Sequence, residues 1–123
     1  MAKKIIFSDK APAALGPYSQ AVLVHNTLYV SGQIALAEAA SGDLRAEATQ
    51  VMENLGYILS EAGMSYANIV KATIFLKNMD DFALINEVYG AYFEQAPPAR
   101  ETVQVAKLPK DVNVEISVIA VND

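Results

Sequence analysis

Two stretches of the chain show the hydrophobic pattern of amphipathic helices. The first has apolar residues at steps of three and four from Leu44 to Ala62, and Gly63 then suits a C-cap. The second spans roughly Asp80 to Glu94, with carboxylates in its first turn, and stops before Pro97 and Pro98. Its predicted buried stripe consists of Phe82, Ile85, Tyr89 and Phe93. The sequence therefore predicts two helices.

Six shorter segments have the composition and alternation of β-strands. They are Lys3 to Phe7, Ala21 to Val24, Thr27 to Ser31, Asn68 to Lys77, Glu101 to Lys107 and Val112 to Val121. The second and third would form a hairpin around His25 and Asn26, because asparagine tolerates a positive φ. Asp9 to Pro17 and Ile34 to Gly42 are predicted to be loops. In the fourth strand, the apolar face would consist of Val70, Ala72, Ile74 and Leu76.

The order β-β-β-α-β-α-β-β predicts one two-layer α+β domain over residues 1–123, with two helices on one face of the sheet. The last strand indicates what covers the sheet face opposite the helices. Its apolar side, which should lie beneath the helices, comprises Val112, Val114, Ile116, Val118 and Ala120. Its other side carries Asn113, Glu115, Ser117, Ile119 and Val121. An intersubunit surface with a polar pocket accommodates such a mixture, which makes Glu115 a candidate site residue.

The composition limits the classes of function. Hydrophobic residues make up 53% and charged residues 19% of the chain, which excludes a disordered protein and favours association with further copies of itself. The net charge of −5 argues against nucleic acid as a partner. The absence of cysteine excludes disulfides, thiolate metal sites and thiol nucleophiles. The apolar run Ile5 to Phe7 is too short for a signal peptide or a membrane span, so the cytoplasm is the expected compartment.

Few residues indicate chemistry by themselves. The chain lacks a phosphate-binding loop, a dinucleotide glycine motif, a zinc-binding histidine motif and a nucleophile elbow. His25 is the only histidine, so we predict no metal site and assign it no function. Arg100 follows the stiff segment Pro97-Pro98-Ala99, where it could grip a carboxylate through two hydrogen bonds or serve a structural ion pair. A purely structural role remains open for three other residues: Tyr18 as a core aromatic, Gly32 as a turn residue and Asn86 as a surface residue.

Several short motifs occur in register along nearly the whole chain, from about Ile5 to Val121. They are Gly16-Pro17-Tyr18-Ser19-Gln20, Ser31-Gly32-Gln33, Pro98-Ala99-Arg100, Leu108-Pro109 and Val114-Glu115-Ile116. Each is weak alone, but together they resemble the RidA/YjgF family of reactive intermediate imine deaminases. The resemblance implies a chorismate-mutase-like α+β subunit with a mixed sheet. It also implies a homotrimer whose sheets line a central β-barrel, with a ligand cleft at each subunit boundary.

The same resemblance implies a reaction and a set of site residues. Deaminating members of the family hydrolyse 2-imino acids, formed from 2-aminoacrylate or 2-aminocrotonate, to 2-oxo acids and ammonia without a cofactor. By position, Arg100 would bind the substrate carboxylate, Glu115 would position and activate water, and Tyr18 would order the pocket. The other substrate-binding residues would be Ser31, Gly32, Asn86 and Thr102. The expected partners are these small molecules and further copies of the chain.

Two positions differ from the family pattern. Glu101 replaces a small or uncharged residue and could compete for Arg100, although as its strand neighbour it should face the other way. Thr102 stands where many members have cysteine, so the reaction must not need a thiol. Two other functions therefore stay open: a trimer that binds small carboxylates without turnover, and the nuclease or chaperone-like role proposed for some relatives. Burial should raise the pKa of Glu115 and a nearby Arg100 should lower it, and the sequence does not decide between them.

Overall fold

The computed structural model describes residues 2–123, which form a six-stranded mixed sheet packed against helices. The strands are β1 (Lys4–Ile6), β2 (Ala21–Val24), β3 (Thr27–Gln33), β4 (Ile69–Leu76), β5 (Ala99–Gln104) and β6 (Val114–Val121). Their order across the sheet is β1-β2-β3-β6-β4-β5. The β4–β5 pair is parallel, and all other neighbours are antiparallel. This confirms the predicted α+β class. Within residues 2–123, no helix is both long and apolar enough to cross a membrane.

The helices are α1 (Leu36–Ser41), α2 (Leu44–Glu61) and α3 (Phe82–Gly90), and 3-10 turns cover Tyr66–Asn68, Met79–Asp81 and Pro109–Asp111. α2 confirms the first predicted helix. Asp43 caps it, since its side chain accepts a hydrogen bond of 3.0 Å from the Ala46 amide. α1 lies within a predicted loop, so that prediction is wrong. Its leucine and alanines favour a helix, which ends at Gly42 with a φ of 81°.

A bulge in β4 changes which of its residues face the core. The pairing of β4 with β6 shifts between Ile69 and Lys71, so Ile69 is buried whereas Val70 is 48% exposed. The predicted core face is wrong for Val70 and correct for Ala72, Ile74 and Leu76.

Three smaller expectations also need correction. In the β2–β3 hairpin, the positive φ falls on His25, at 54°, rather than on Asn26. α3 ends at Gly90 rather than Glu94, because the chain then tightens into a turn with hydrogen bonds to the third preceding residue. Phe82 is 38% exposed rather than buried, since its ring lies at the edge of the helix layer against Arg100.

The hydrophobic core lies between the sheet and the helices α2 and α3. The apolar side of β6 enters it as predicted, and the exposed fractions of Val114, Ile116, Val118 and Ala120 are 3% or less. The opposite side of β6, with Glu115, Ser117 and Ile119, is half-buried. We call this side of the sheet, which points away from α2 and α3, the open face.

Candidate functional site

The Glu115 carboxyl group lies in a cavity of about 470 Å³ on the open face. It packs directly over Gly32 of the neighbouring strand β3. A Cβ at position 32 would lie 2.7 Å from Glu115 Cδ and 2.9 Å from its Cγ, so any side chain there would displace the carboxyl group. The pairing of β3 with β6 shifts between Val30 and Gln33, and this irregularity brings Ser31 and Gly32 to the cavity.

The loop before β2 forms another wall of this cavity, through residues 15–18. The Tyr18 hydroxyl accepts a hydrogen bond of 3.1 Å from the Leu15 amide. The Ser31 hydroxyl donates a hydrogen bond of 2.6 Å to the Ser19 carbonyl. Ser31 thus holds the Tyr18 segment beside the sheet, and its hydroxyl is engaged by the backbone. The structure therefore brings together four of the predicted site residues, namely Tyr18, Ser31, Gly32 and Glu115.

Gln20 is a buried residue to which sequence reasoning gives no role. Its Oε1 accepts a hydrogen bond of 2.7 Å from the Ser8 amide. Its Nε2 donates to the carbonyls of Ser8, at 3.1 Å, and Pro12, at 2.9 Å. Gln20 therefore fastens the start of the loop that leads to Tyr18. Its place in the motif Gly16–Gln20 is the available signal, but a motif does not reveal whether a glutamine faces a ligand or the backbone.

Within residues 2–123, the carboxyl group of Glu115 has no cationic partner. The ion pairs within residues 2–123 are Arg45–Glu87, Lys71–Glu101 and Lys77–Asp111. Burial raises the pKa of Glu115 above the ordinary value of a glutamic acid. A half-buried acid whose pKa is raised toward neutrality is suited to accept and return a proton.

Arg100 lies on the core-facing side of β5 and contacts α3. Its NH1 donates a hydrogen bond of 2.6 Å to Asn86 Oδ1. Its guanidinium carbon lies 5.2 Å from the ring centre of Tyr89 and 5.6 Å from that of Phe82, within the range of cation–π attraction. These contacts hold the guanidinium beside a cavity of about 410 Å³ bounded by Pro97 and Pro98. The structure thus brings Asn86 to Arg100 and adds two aromatic rings, which the sequence analysis had assigned only to the core.

Thr102 also lies on the Arg100 side of the sheet. It pairs with Ile74 of β4 and so faces the same way as Arg100. The hydroxyls of Thr102 and Tyr89 are buried, and neither has a hydrogen-bond partner within residues 2–123. Burial raises the pKa of Tyr89 above the ordinary value of a tyrosine, and the positive charge of Arg100 offsets only part of this rise.

The two parts of the predicted site face opposite ways in one chain. Arg100 pairs with Ala72 of β4 and shares its core-facing side. Glu115 pairs with Phe75, an odd number of positions further along β4, and lies on the open face. Because successive side chains of a strand alternate between faces, Arg100 and Glu115 line separate cavities. Arg100 and Glu115 therefore do not meet within one protomer, and the cleft implied by the family resemblance lies at a subunit boundary, which a single chain does not contain.

Glu101 does not contact Arg100. It pairs with Thr73 on the open face and accepts a hydrogen bond of 2.8 Å from the Thr73 hydroxyl. Lys71 lies 3.3 Å from its other oxygen. These two contacts lower the pKa of Glu101. Glu101, which departs from the family pattern, therefore does not compete with a ligand for the guanidinium of Arg100.

No group of three or more histidine, aspartate or glutamate side chains within residues 2–123 is arranged to hold a metal ion. The arrangement instead offers one carboxyl group in a cavity and one guanidinium beside another. Such a pair can recognise a small anion and move a proton.

The chain is similar to known proteins over nearly its whole length. The bovine protein named 2-iminobutanoate/2-iminopropanoate deaminase is 49% identical, covering 98% of this chain and 91% of its own. The crystal structure of RidA from an Antarctic Psychrobacter has a TM-score of 0.90 and 44% identity, covering 97% of this chain and 99% of its own. That of E. coli TdcF with bound serine has a TM-score of 0.90 and 42% identity, covering 98% and 99%. The model of a family described as endoribonuclease L-PSP matches residues 8–122, which include both parts of the site, and the chain therefore belongs to this RidA/YjgF family.

Proposed function

We propose that this protein is an imine deaminase that hydrolyses reactive 2-imino acids to 2-oxo acids and ammonia without a cofactor. Its family and the name of its bovine relative support this class of reaction. E. coli TdcF holds serine, a small molecule with a carboxylate next to a carbon–nitrogen bond, as in a 2-imino acid. The observation that carries the proposal is the half-buried Glu115 carboxyl group over Gly32, with a raised pKa and no cationic partner among the described residues 2–123.

The two parts of the site complement each other. The Arg100 part offers a fixed cation without an acid to receive a proton, and the Glu115 part offers an acid without a cation. We place the complete site where the Arg100 part of one protomer meets the Glu115 part of the next, in a homotrimer whose sheets line a central β-barrel. In a cyclic trimer every such contact is head-to-tail, so three identical sites would form.

Apolar side chains on the open face support this assembly. Ile5, Val22, Tyr29 and Ile119 are register partners across β1, β2, β3 and β6. Ile5 and Tyr29 are each 50% exposed in the single chain. An apolar row of this kind is stabilised when another protomer covers it. Covering it would also remove more water from Glu115.

Arg100 would hold the substrate carboxylate. Asn86 engages one guanidinium nitrogen, and the rings of Phe82 and Tyr89 restrict the side chain. The remaining N–H groups can then donate to both carboxylate oxygens. The Gly32 backbone N–H would assist from the opposite part of the site.

Glu115 would act as base and acid in turn. The oxygen of a water molecule bonds to the imine carbon while Glu115 takes one of the water's protons and delivers it to the imine nitrogen, which gives an amino alcohol. Glu115 then moves the hydroxyl proton to the nitrogen, the carbon–nitrogen bond breaks with its electrons on nitrogen, and ammonia and the 2-oxo acid leave. One water is consumed, and Glu115 is regenerated. The Tyr18 hydroxyl, held by the Leu15 amide, would order the cavity.

Release of ammonia tests the proposal. An amino acid oxidase or dehydratase generates 2-imino acids in the assay, and we expect the protein to accelerate formation of ammonia and 2-oxo acid over the rate in buffer. The acceleration should scale with protein concentration. A rate equal to that in buffer at every protein concentration would contradict the proposed function.

The acid limb of the pH profile should report the environment of Glu115. With substrate bound, the carboxylate neutralises Arg100 and burial dominates, so the midpoint in kcat should lie above the ordinary pKa of a glutamic acid. In kcat/KM, which reports the free enzyme, the unneutralised guanidinium should move this midpoint to lower pH. Profiles corrected for hydrolysis in buffer measure both midpoints. The reverse order of the two would argue against a shared site.

Binding without turnover was the first alternative, and it depended on Glu101 competing for Arg100. The contacts of Glu101 with Lys71 and Thr73 argue against that competition. We expect Glu101→Gln to leave kcat and KM within about twofold of the wild type, because exposed ion pairs contribute little. A large gain in kcat/KM would instead mean that Glu101 restrains Arg100 in the assembled protein.

RNA cleavage is a second candidate because the family carries the description endoribonuclease L-PSP. The net charge of −5 disfavours binding to a phosphate backbone. RNA cleavage by the wild type that persists in Arg100→Ala would favour this second function, since it would not use the proposed site.

A further inference from the structure

A buried carboxylate on α2 contacts the segment that leads into Glu115. Glu47 is 0% exposed, and both of its oxygens accept hydrogen bonds. Its Oε1 accepts from Asn113 Nδ2 at 2.7 Å, and its Oε2 accepts from the amides of Asn113, at 2.9 Å, and Val114, at 3.3 Å. Every partner is a donor, so the group acts only as an acceptor. The residue that follows Val114 is Glu115.

No cation compensates the burial of Glu47, since none of the ion pairs within residues 2–123 includes it. A buried carboxylate is unfavourable unless its hydrogen bonds are made. α2 already packs on the sheet through apolar side chains such as Val51 and Leu55, both 0% exposed. A leucine at position 47 would suffice for packing, so the carboxylate indicates a more specific task.

The turn just before Asn113 has a strained backbone. Lys110 and Asp111 both have a φ of 57°, in the left-handed region that is unfavourable for residues with a side chain. On its outer side, this turn is held by an exposed ion pair of 3.2 Å between Asp111 and Lys77, which is a weak restraint. Pro109 of the same turn lines the Glu115 cavity. Movement of the turn would therefore alter the cavity and the start of β6 together.

We propose that Glu47 is a positioning residue of the site: by holding the amides of Asn113 and Val114, it fixes the direction in which Glu115 enters its cavity. Glu47 acts through Glu115 and does not touch substrate. The kinetic consequences rest on the proposed deaminase function, whereas the environment of Glu115 can be measured without turnover.

Three variants separate positioning from general stability. Glu47→Leu removes both acceptors. Glu47→Gln keeps one oxygen for the two backbone amides, and its NH₂ group can be satisfied if the Asn113 side-chain amide turns to present its oxygen. Tyr66→Phe is the matched control, because it removes a hydrogen bond of 2.7 Å to the Met52 carbonyl of α2 without touching β6.

The pKa of Glu115 is measured in the assembled protein from the NMR chemical shift of its carboxyl carbon as the pH is varied. The kcat, the KM and the thermal midpoint are measured for the same variants. In Glu47→Leu, the pKa of Glu115 should move from its wild-type value toward that of an exposed glutamic acid, because the carboxyl group is no longer held in the cavity. We expect kcat to fall about 10- to 100-fold with a smaller change in KM, since Arg100 is untouched. Glu47→Gln should restore the wild-type pKa of Glu115 and the wild-type kcat. Tyr66→Phe should lower the thermal midpoint but leave the pKa of Glu115 and kcat unchanged.

If Glu47→Leu fails to fold, Asn113→Ala serves instead, since it removes only the side-chain hydrogen bond to Glu47 and should shift the Glu115 titration in the same direction by less. An unchanged Glu115 titration in the variant that folds would overturn the proposal, as would an equal shift in Tyr66→Phe. If the wild type does not deaminate imines but Glu47→Leu still shifts the Glu115 titration, the positioning role stands and the proposed function fails.

Discussion

Replacing Arg100 by alanine is expected to lower kcat/KM for deamination by at least about 100-fold, because two charge-assisted hydrogen bonds to the substrate carboxylate are lost. The guanidinium contacts Asn86 and two aromatic rings at the edge of the helix layer, so its removal should leave the core and the assembly intact. Ammonia release measures the rate, and sedimentation measures the oligomeric state.

Two further variants show whether the loss of activity is specific to Arg100 and whether it depends on the paired donors of the guanidinium. Arg45→Ala removes an exposed arginine, 3.2 Å from Glu87, and should leave turnover unchanged. Arg100→Lys keeps the charge but loses the paired donors, so its activity should lie between those of the wild type and Arg100→Ala. Full turnover in Arg100→Ala would remove Arg100 from the site.

Replacing Glu115 by glutamine should lower kcat by about 1,000-fold, because the group that moves protons between water and nitrogen is lost. Glutamine has nearly the same size, so the cavity over Gly32 stays filled and KM should change little. Glu61→Gln, at the exposed end of α2, is the matched control and should retain full activity. A kcat near that of the wild type would show that another group moves the protons.

In an Arg100→Ala background, where no guanidinium offsets the burial of Glu115, Glu115→Gln should be more stable than its parent at neutral pH. Burial raises the pKa of Glu115 in the folded state, so folding disfavours its ionised form. The parent therefore loses stability as the pH rises from the unfolded to the folded pKa of this group, and the double variant does not. Thermal midpoints of the two proteins should differ above this range and converge below it. A higher midpoint for the parent at neutral pH would contradict a destabilising buried charge.

The elements with a clear hydrophobic period could be predicted from the sequence. Alternation in β6 gave the buried side correctly and placed Glu115 on the other side, and the period of α2 gave its extent. The bulges in β3 and β4 could not be predicted, because a shift of register depends on the partner strand rather than on local composition. The bulge in β4 is why Val70 is exposed.

The individual residues of the site were easier to predict than their contacts. The motifs pointed to Arg100 and Glu115, but their opposite orientations depend on where each meets β4. The supporting roles of Gln20 and Glu47 were not predictable, because their hydrogen bonds join segments distant in the chain. Such contacts require the fold, since the residue types alone are common on protein surfaces.

Mixed oligomers of two inactive variants would show whether one site draws on two protomers. Arg100→Ala and Glu115→Gln are co-expressed with different tags, and oligomers that carry both tags are assayed for ammonia release. We expect activity to return to about a third of the wild-type value, because every trimer that carries both tags has one boundary in three at which an intact Arg100 meets an intact Glu115. Activity no greater than that of the two variants assembled separately would contradict a site shared between neighbouring protomers.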